Sequence, residues 1–222
     1  MRSTLLMAAI ALAAPLLTVA AQQHDHGAAM TGGGTLPAGW AARVDGTVPL
    51  TEVKAATMGA GLHVTTGRAR VVLYRDQDRA EGSYHAVARF TQSVNPPDAF
   101  GLIIGGSDLQ GPNQQYTYFL VRGDGTFLVK RRRGDSTWSV TPGDSPASRG
   151  FTAHAAIVKA DSAGRATNEL GILVTGDQVK FQVNGQDVYA TPASQVDTRG
   201  IVGLRVNHRL DVHVGGFAIH RL

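Results

Sequence analysis

From residue 61 onward, apolar residues recur at every second position, and no stretch repeats at helical spacing with caps at its ends. Gln178 to Val183 shows the pattern at its clearest, with Val179, Phe181 and Val183 on one side and Lys180 and Gln182 on the other. Strands of this kind bury one face and leave the second for solvent or ligand, so two sheets must stack to hide their apolar sides. The spacing predicts strands over 61–65, 69–74, 82–92, 100–104, 115–122, 126–131, 153–159, 168–174, 178–183, 186–189, 201–206 and 210–219. The expected fold is therefore all-β, a two-sheet antiparallel jelly-roll sandwich of ten or more strands. In the last strand, Val212 and Val214 are out of phase with Phe217 and Ile219. Gly215-Gly216 sits at the slip, where a β-bulge would return both pairs to the core.

The first residues follow other rules. Arg2, an apolar run from Leu5 to Val19 and the small-residue end Val19-Ala20-Ala21 read as a signal peptide over 1–21. The run is short for a membrane span of about 20 residues, so the expectation is cleavage, with a secreted or periplasmic product that keeps no membrane span. Residues 22–37, rich in Gln, His and Gly, read as a flexible linker, and 38–222 as the sandwich domain. Cleavage after Ala21 would expose Gln22-Gln23-His24, which with His26 could chelate Cu(II) or Ni(II), or could be plain linker.

The 222 residues include no cysteine, which removes disulfides, thiolate nucleophiles and cysteine metal sites together. The 21 basic residues exceed the 17 acidic ones only slightly. Lys130 to Arg133 is the one basic cluster, so nucleic acid is not the expected partner.

Several segments carry a resemblance. Gly105 to Gly125, Asn168-Glu169-Leu170, Val179 to Gly185 and Gly200 to Val206 resemble the concanavalin-A-like and laminin-G-like sandwich domains. They are especially similar to an exported bacterial group labelled 3-keto-disaccharide hydrolase. The likeness covers about residues 38 to 222. It implies the sandwich fold and, as one reading, hydrolysis of modified disaccharides. The fold itself hosts lectins, hydrolases and adhesion modules, so it does not select an activity.

Hydrolysis in laminarinase-like members of this fold uses carboxylates spaced along one strand as Glu-x-Asp-x-x-Glu. Here the only glutamates are Glu52, Glu81 and Glu169, and none opens that pattern. Asp76, Asp78 and Glu81 read as a solvated turn. No nucleophile elbow or His-Glu-x-x-His motif is present, so the catalytic residues are unknown. Asp211 and His213 share strand parity close to His208, but a complete ligand set would need His85 or His220 brought in by the fold, so no metal is assigned.

The hairpin from Gln115 to Arg133 is the candidate ligand surface. Tyr116, Tyr118, Leu120 and Arg122 share one face, while Thr117, Phe119 and Val121 suit the core. A two-residue turn at Asp124-Gly125 sets Arg131 and Arg133 opposite the tyrosines; a three-residue loop sets Lys130 and Arg132 there. Rings stack on the apolar faces of sugars, and guanidinium forks bind hydroxyls or carboxylates. Tyr116, Tyr118, Arg122, Arg131, Arg133 and Trp138 are thus the expected binding residues for a glycan or small sugar. Tyr–Arg packing on an outer sheet face uses the same residues without any ligand. The polar loop from Ser107 to Gln114 is a weak Ca²⁺ candidate on the strength of Asp108, and no other cofactor is expected. A purely structural or adhesive role is the remaining alternative, and the oligomeric state is not legible.

Overall fold

A computed structural model of the chain describes residues 33–93, 98–143, 145 and 148–222. The expected signal peptide and the His24/His26 segment lie outside these residues. The first sheet contains β1 (Ala41–Val44), β4 (Val71–Ala80), β14 (Gly200–Val206), β6 (Ala99–Ser107), β7 (Gln115–Arg122), β8 (Thr126–Arg133) and β10 (Thr152–Ala153), in that spatial order. A further strand, β9 (Ser136–Ser139), also pairs with β8. The second sheet runs β13 (Gln186–Pro192), β12 (Gln178–Val183), β11 (Ala166–Thr175), β5 (Tyr84–Gln92), β15 (Asp211–Arg221), β3 (Gly61–Thr66) and β2 (Val53–Met58). All pairings are antiparallel. The chain is an all-β two-sheet sandwich, as its alternation requires.

The inner faces meet through aromatic pairs that cross between the sheets. Phe119 of β7 lies 5.4 Å from Phe181 of β12, and Phe90 of β5 stacks at 5.2 Å on Phe100 of β6. Around them pack Leu102, Ile104, Leu170, Ile172, Val202 and Leu204, all inaccessible to water. At ~25 cal/mol per Å² of apolar area, burial of this kind must hold a domain that has no disulfide.

Phe119 and Val121 point into this core as their parity predicts. The Gly215-Gly216 slip is also present: the β15–β5 register shifts between Gly215 and Ala218, and Gly216 takes φ +62°. Phe217 and Ile219 accordingly pack on the core.

Three segments depart from the sequence reading. The apolar run 153–159 forms only the two-residue β10 and then turns, with His154 O accepting from Ile157 N and His154 Nδ1 from Ala156 N. The stretch holding Asp76 and Asp78 continues β4 instead of forming a turn, because Ala80 and Arg79 pair with Gly200 and Ile201. Residues 33–37 of the expected linker dock on the domain: Gly34 N donates to Val53 O, and Leu36 packs on the core.

A second apolar layer covers the outer face of the first sheet. Val72, Tyr74, Ile103, Tyr116, Tyr118, Leu120 and Leu128 form a cluster with Leu109 from the loop after β6 and with Phe151. That loop is tied to β1, since Arg43 donates to Leu109 O and Gly111 O and Gln110 Nε2 donates to Ala42 O.

Candidate functional site

One loop residue decides how the hairpin's side chains are shared out. Arg122 pairs with Thr126, which leaves the three-residue loop Gly123-Asp124-Gly125. Gly125 adopts φ +88°, a conformation that glycine enters without steric cost, and its N–H donates to Arg122 O. Asp124 Oδ1 accepts from both Thr126 N and Thr126 Oγ1. The register that follows sets Tyr116 opposite Arg132 and Tyr118 opposite Lys130. Arg131 and Arg133 therefore point to the other side of β8 from the tyrosines.

The six expected binding residues divide into three groups. Tyr116 and Tyr118 lie under the second layer, with 0% and 7% of their surfaces exposed. The expectation that they stand on an open face is corrected: neither ring offers a face to a ligand. Their neighbours are cations balanced within the protein. Arg205 donates to Tyr116 Oη at 2.7 Å and to Asp45 Oδ2 at 2.6 Å, with its guanidinium 4.9 Å over the Tyr118 ring. Arg132 reaches the same Asp45 oxygen at 3.3 Å. Burial raises the Tyr116 phenol above its ordinary range, even though Arg205 pulls the other way. For Arg205, desolvation is outweighed by Tyr116 and Asp45, so its guanidinium stays firmly charged.

Arg122 sits alone at the hairpin tip. It pairs with Asp124 and lies 4.2 Å over the Phe151 ring, so both its charge and its planar face are used internally.

Arg131, Arg133 and Trp138 do come together, on a rim formed by β8 and β9. Trp138 is the direct cross-strand partner of Arg131, whose guanidinium lies 5.5 Å from the indole centroid. Arg131 is held in turn by a two-pronged bond to Asp197, at 3.1 Å from Nε and 2.9 Å from Nη2. Asp197 also accepts from Gln115 Nε2, and its N–H donates to Thr117 Oγ1. The result is a locked guanidinium supporting a tryptophan ring that remains 40% exposed. Arg133, exposed on the same rim, lies 3.7 Å from Asp197.

Asp197 and Gln115 escaped the sequence reading. Asp197 belongs to the segment before β14, and nothing in its local sequence signals that it will meet β8. The hairpin register carried a signal of its own, because glycine at the third loop position together with Asp124-x-Thr126 favours the three-residue loop.

Two other concavities were not anticipated. One, of about 230 Å³, lies between β4 and the end of β15, lined by Arg75, Asp78, Arg79, Phe217, Ile219 and Arg221 among others. Arg75 spans the Trp40 and Phe217 rings at 5.2 and 6.0 Å and is pinned by Asp78, so the aromatic faces there are already occupied. The other, of about 300 Å³, includes Asp45 in its lining. Asp78 and Asp45 lie in separate hollows and each is engaged by arginine. Neither of these two hollows, then, is lined by a pair of carboxylates.

The Ser107–Gln114 loop does not fit Ca²⁺. Its single carboxylate, Asp108, accepts from Asn113 N, and the carbonyls of Leu109 and Gly111 already face the Arg43 cation. Among the described residues no group of three or more His, Asp or Glu could hold a metal. His208 pairs with Asp98 and Asp211 with His63, so two of the groups weighed as ligands are drawn to separate partners.

No protein-family model matches the chain, and no curated protein matches its sequence. The resemblance to the 3-keto-disaccharide hydrolase group therefore rests on the sequence segments alone. Solved structures do match. A carbohydrate-binding module from Bacillus subtilis, of the type called CBM66, aligns with TM-score 0.59 at 12% identity, over 82% of this chain and 95% of its own. A protein of unknown function with a galectin-like fold, also from Bacillus subtilis, aligns with TM-score 0.59 at 14% identity, over 82% and 89%. The exoplasmic/lumenal domain of VIP36, in a Ca²⁺- and mannose-bound form, aligns with TM-score 0.54 at 7% identity, over 83% of each chain. At these identities the likeness shows the fold: this chain is a concanavalin-A-like, galectin-like sandwich.

Proposed function

We propose that this protein is an exported, non-catalytic carbohydrate-binding module whose ligand sits on the Trp138 rim. The observation that carries the reading is the exposed Trp138 ring, braced from one side by an Arg131 that Asp197 holds in place. A ring fixed in this way loses little freedom when a sugar stacks on it, which lowers the cost of binding. Arg133 stands beside it with donors for hydroxyls or a carboxylate. The shared fold with a carbohydrate-binding module and a mannose-bound lectin domain supports the class and leaves the ligand open. Export is supported by the signal-peptide pattern in residues 1–21.

A glycan array probed with the chain lacking residues 1–21 tests this. The parent should bind a discrete set of glycans. Trp138→Ala should stay folded and lose about 30-fold or more in affinity, the scale of a central aromatic anchor. A parent that binds nothing, or a variant that binds unchanged, refutes the proposal.

A further inference from the structure

The 300 Å³ hollow lies at the end of β14 away from Asp197, roughly 20 Å of strand distant. Asp45, Val48, Arg68, Arg70, His208 and Arg209 line it. The positive charges there are only partly answered. Arg68 is paired with the carboxylate of Glu52. Asp45 is engaged from behind by Arg205 and Arg132. Asp98 is taken by His208 Nδ1 at 2.7 Å, by Asn207 Nδ2 and by Ala99 N. Arg70 and Arg209 have no carboxylate partner among the described residues, and both are exposed on the hollow.

His208 adds a different group. Its Nδ1 is committed to Asp98, which leaves Nε2 as the free ring nitrogen. Burial lowers its basicity, and Arg70 and Arg209 lower it further against the pull of Asp98. With Nδ1–H donating to Asp98, the neutral form of the ring, which these effects favour, presents Nε2 as an acceptor. Two unanswered cations beside a neutral acceptor suit a molecule that carries both an anion and hydroxyl donors.

The loop presenting these groups is held stiffly. Arg209 adopts φ +60°, unusual for a residue with a side chain, and its N–H donates to Gly67 O. Thr66 Oγ1 donates to Asn207 O at 2.5 Å and accepts from Leu210 N at 3.1 Å. The hollow's volume falls at the small end of ligand pockets.

We propose that this hollow is a second binding site, for the carboxylate and hydroxyls of an acidic sugar. Arg70 and Arg209 hold the carboxylate, and His208 Nε2 accepts from a ring hydroxyl. The site is separate from the Trp138 rim and does not depend on it.

The test is an amide NMR titration of the chain lacking residues 1–21 with sodium glucuronate, alongside glucose and sodium sulfate. Glucuronate should shift resonances of residues 66–70 and 207–210. The double variant Arg70→Ala/Arg209→Asn should weaken it about tenfold or more; asparagine tolerates the left-handed backbone, so the fold is kept. Glucose should leave these resonances in place, and sulfate should bind more weakly than glucuronate. Trp138→Ala should change nothing here, which separates failure of this site from failure of the rim. No shift at roughly 50 mM glucuronate, where a millimolar site would be filled, overturns the proposal. So does unchanged affinity in the double variant, or sulfate binding as tightly as glucuronate, since His208 would then have nothing to receive.

Discussion

Two clusters on the same hairpin use nearly the same chemistry and end in opposite situations. On the outer face of β7 and β8, Tyr116, Tyr118 and Arg205 are buried, with Arg132 and Asp45 half-buried around them. On the rim, Trp138 sits with Arg131, Arg133 and Asp197, and its ring is open. Each has aromatic rings, two arginines and one aspartate. The difference arises from a one-residue register, which sends Arg131 and Arg132 to opposite sides of β8, and from the cover supplied by Leu109 and Phe151. Aromatic and basic composition is thus no evidence of a binding surface until the covering layer is known. The sealed cluster is a device for stability, and the rim is the candidate for recognition.

That contrast is sharpest at the two aspartates. Asp45→Ala leaves the buried Arg205 without a counter-charge, and Arg132 with only the exposed Asp135 at 3.7 Å, and should cost about 3–5 kcal/mol. In a domain of this size that is a fall in melting temperature of about 6–20 °C by scanning calorimetry. Asp197→Ala frees Arg131 at a rim where water can reach it, and should cost about 1–2 kcal/mol. Equal losses from the two would erase the distinction.

Tyr116→Phe removes the hydroxyl that accepts from Arg205, and about 1.5–3 kcal/mol should go with it in urea unfolding at pH 7. The same variant sharpens the comparison at high pH. Burial raises the phenol of Tyr116 in the folded state, so the native protein keeps that proton after the unfolded chain begins to lose it near pH 10. Its stabilisation is full below pH 10 and is lost as pH climbs towards the folded value. The parent should therefore lose stability steeply above pH 10, and Tyr116→Phe should lose it less steeply. Parallel pH profiles would place Tyr116 in contact with solvent. The smallest stability effect should come from Trp138→Ala, within about 1 kcal/mol of the parent, although this variant carries the largest expected loss of glycan binding.

Much of the fold was legible because period two is a local signal. The bounds of β7 and β12 follow directly from Gln115–Arg122 and Gln178–Val183, and the Gly215-Gly216 bulge follows from a phase slip four residues long. The run 153–159 misled because Ala155-Ala156-Ile157-Val158 is apolar enough for a strand, while His154 binds the backbone locally and turns it. The four-residue strands β1 and β9 carry too few alternations to stand out, and β2 alternates in burial only at its start. At the site, sequence parity correctly grouped Tyr116 with Tyr118, and set Phe119 and Val121 against them. It could not say what lies on top. The cover comes from Phe151 and from a neighbouring loop that Arg43 of β1 holds in place, and the partner of Arg131 from position 197. Such meetings depend on the completed sandwich and leave no local trace.

The most direct test of this division is hydroxyl-radical footprinting of the native protein, read residue by residue by mass spectrometry. Trp138 should be oxidised rapidly, while Tyr116 and Tyr118 should be modified at rates close to that of the core Phe119. Oxidation of Tyr118 at a pace matching Trp138, with the fold intact, would show the hairpin face open and contradict the account.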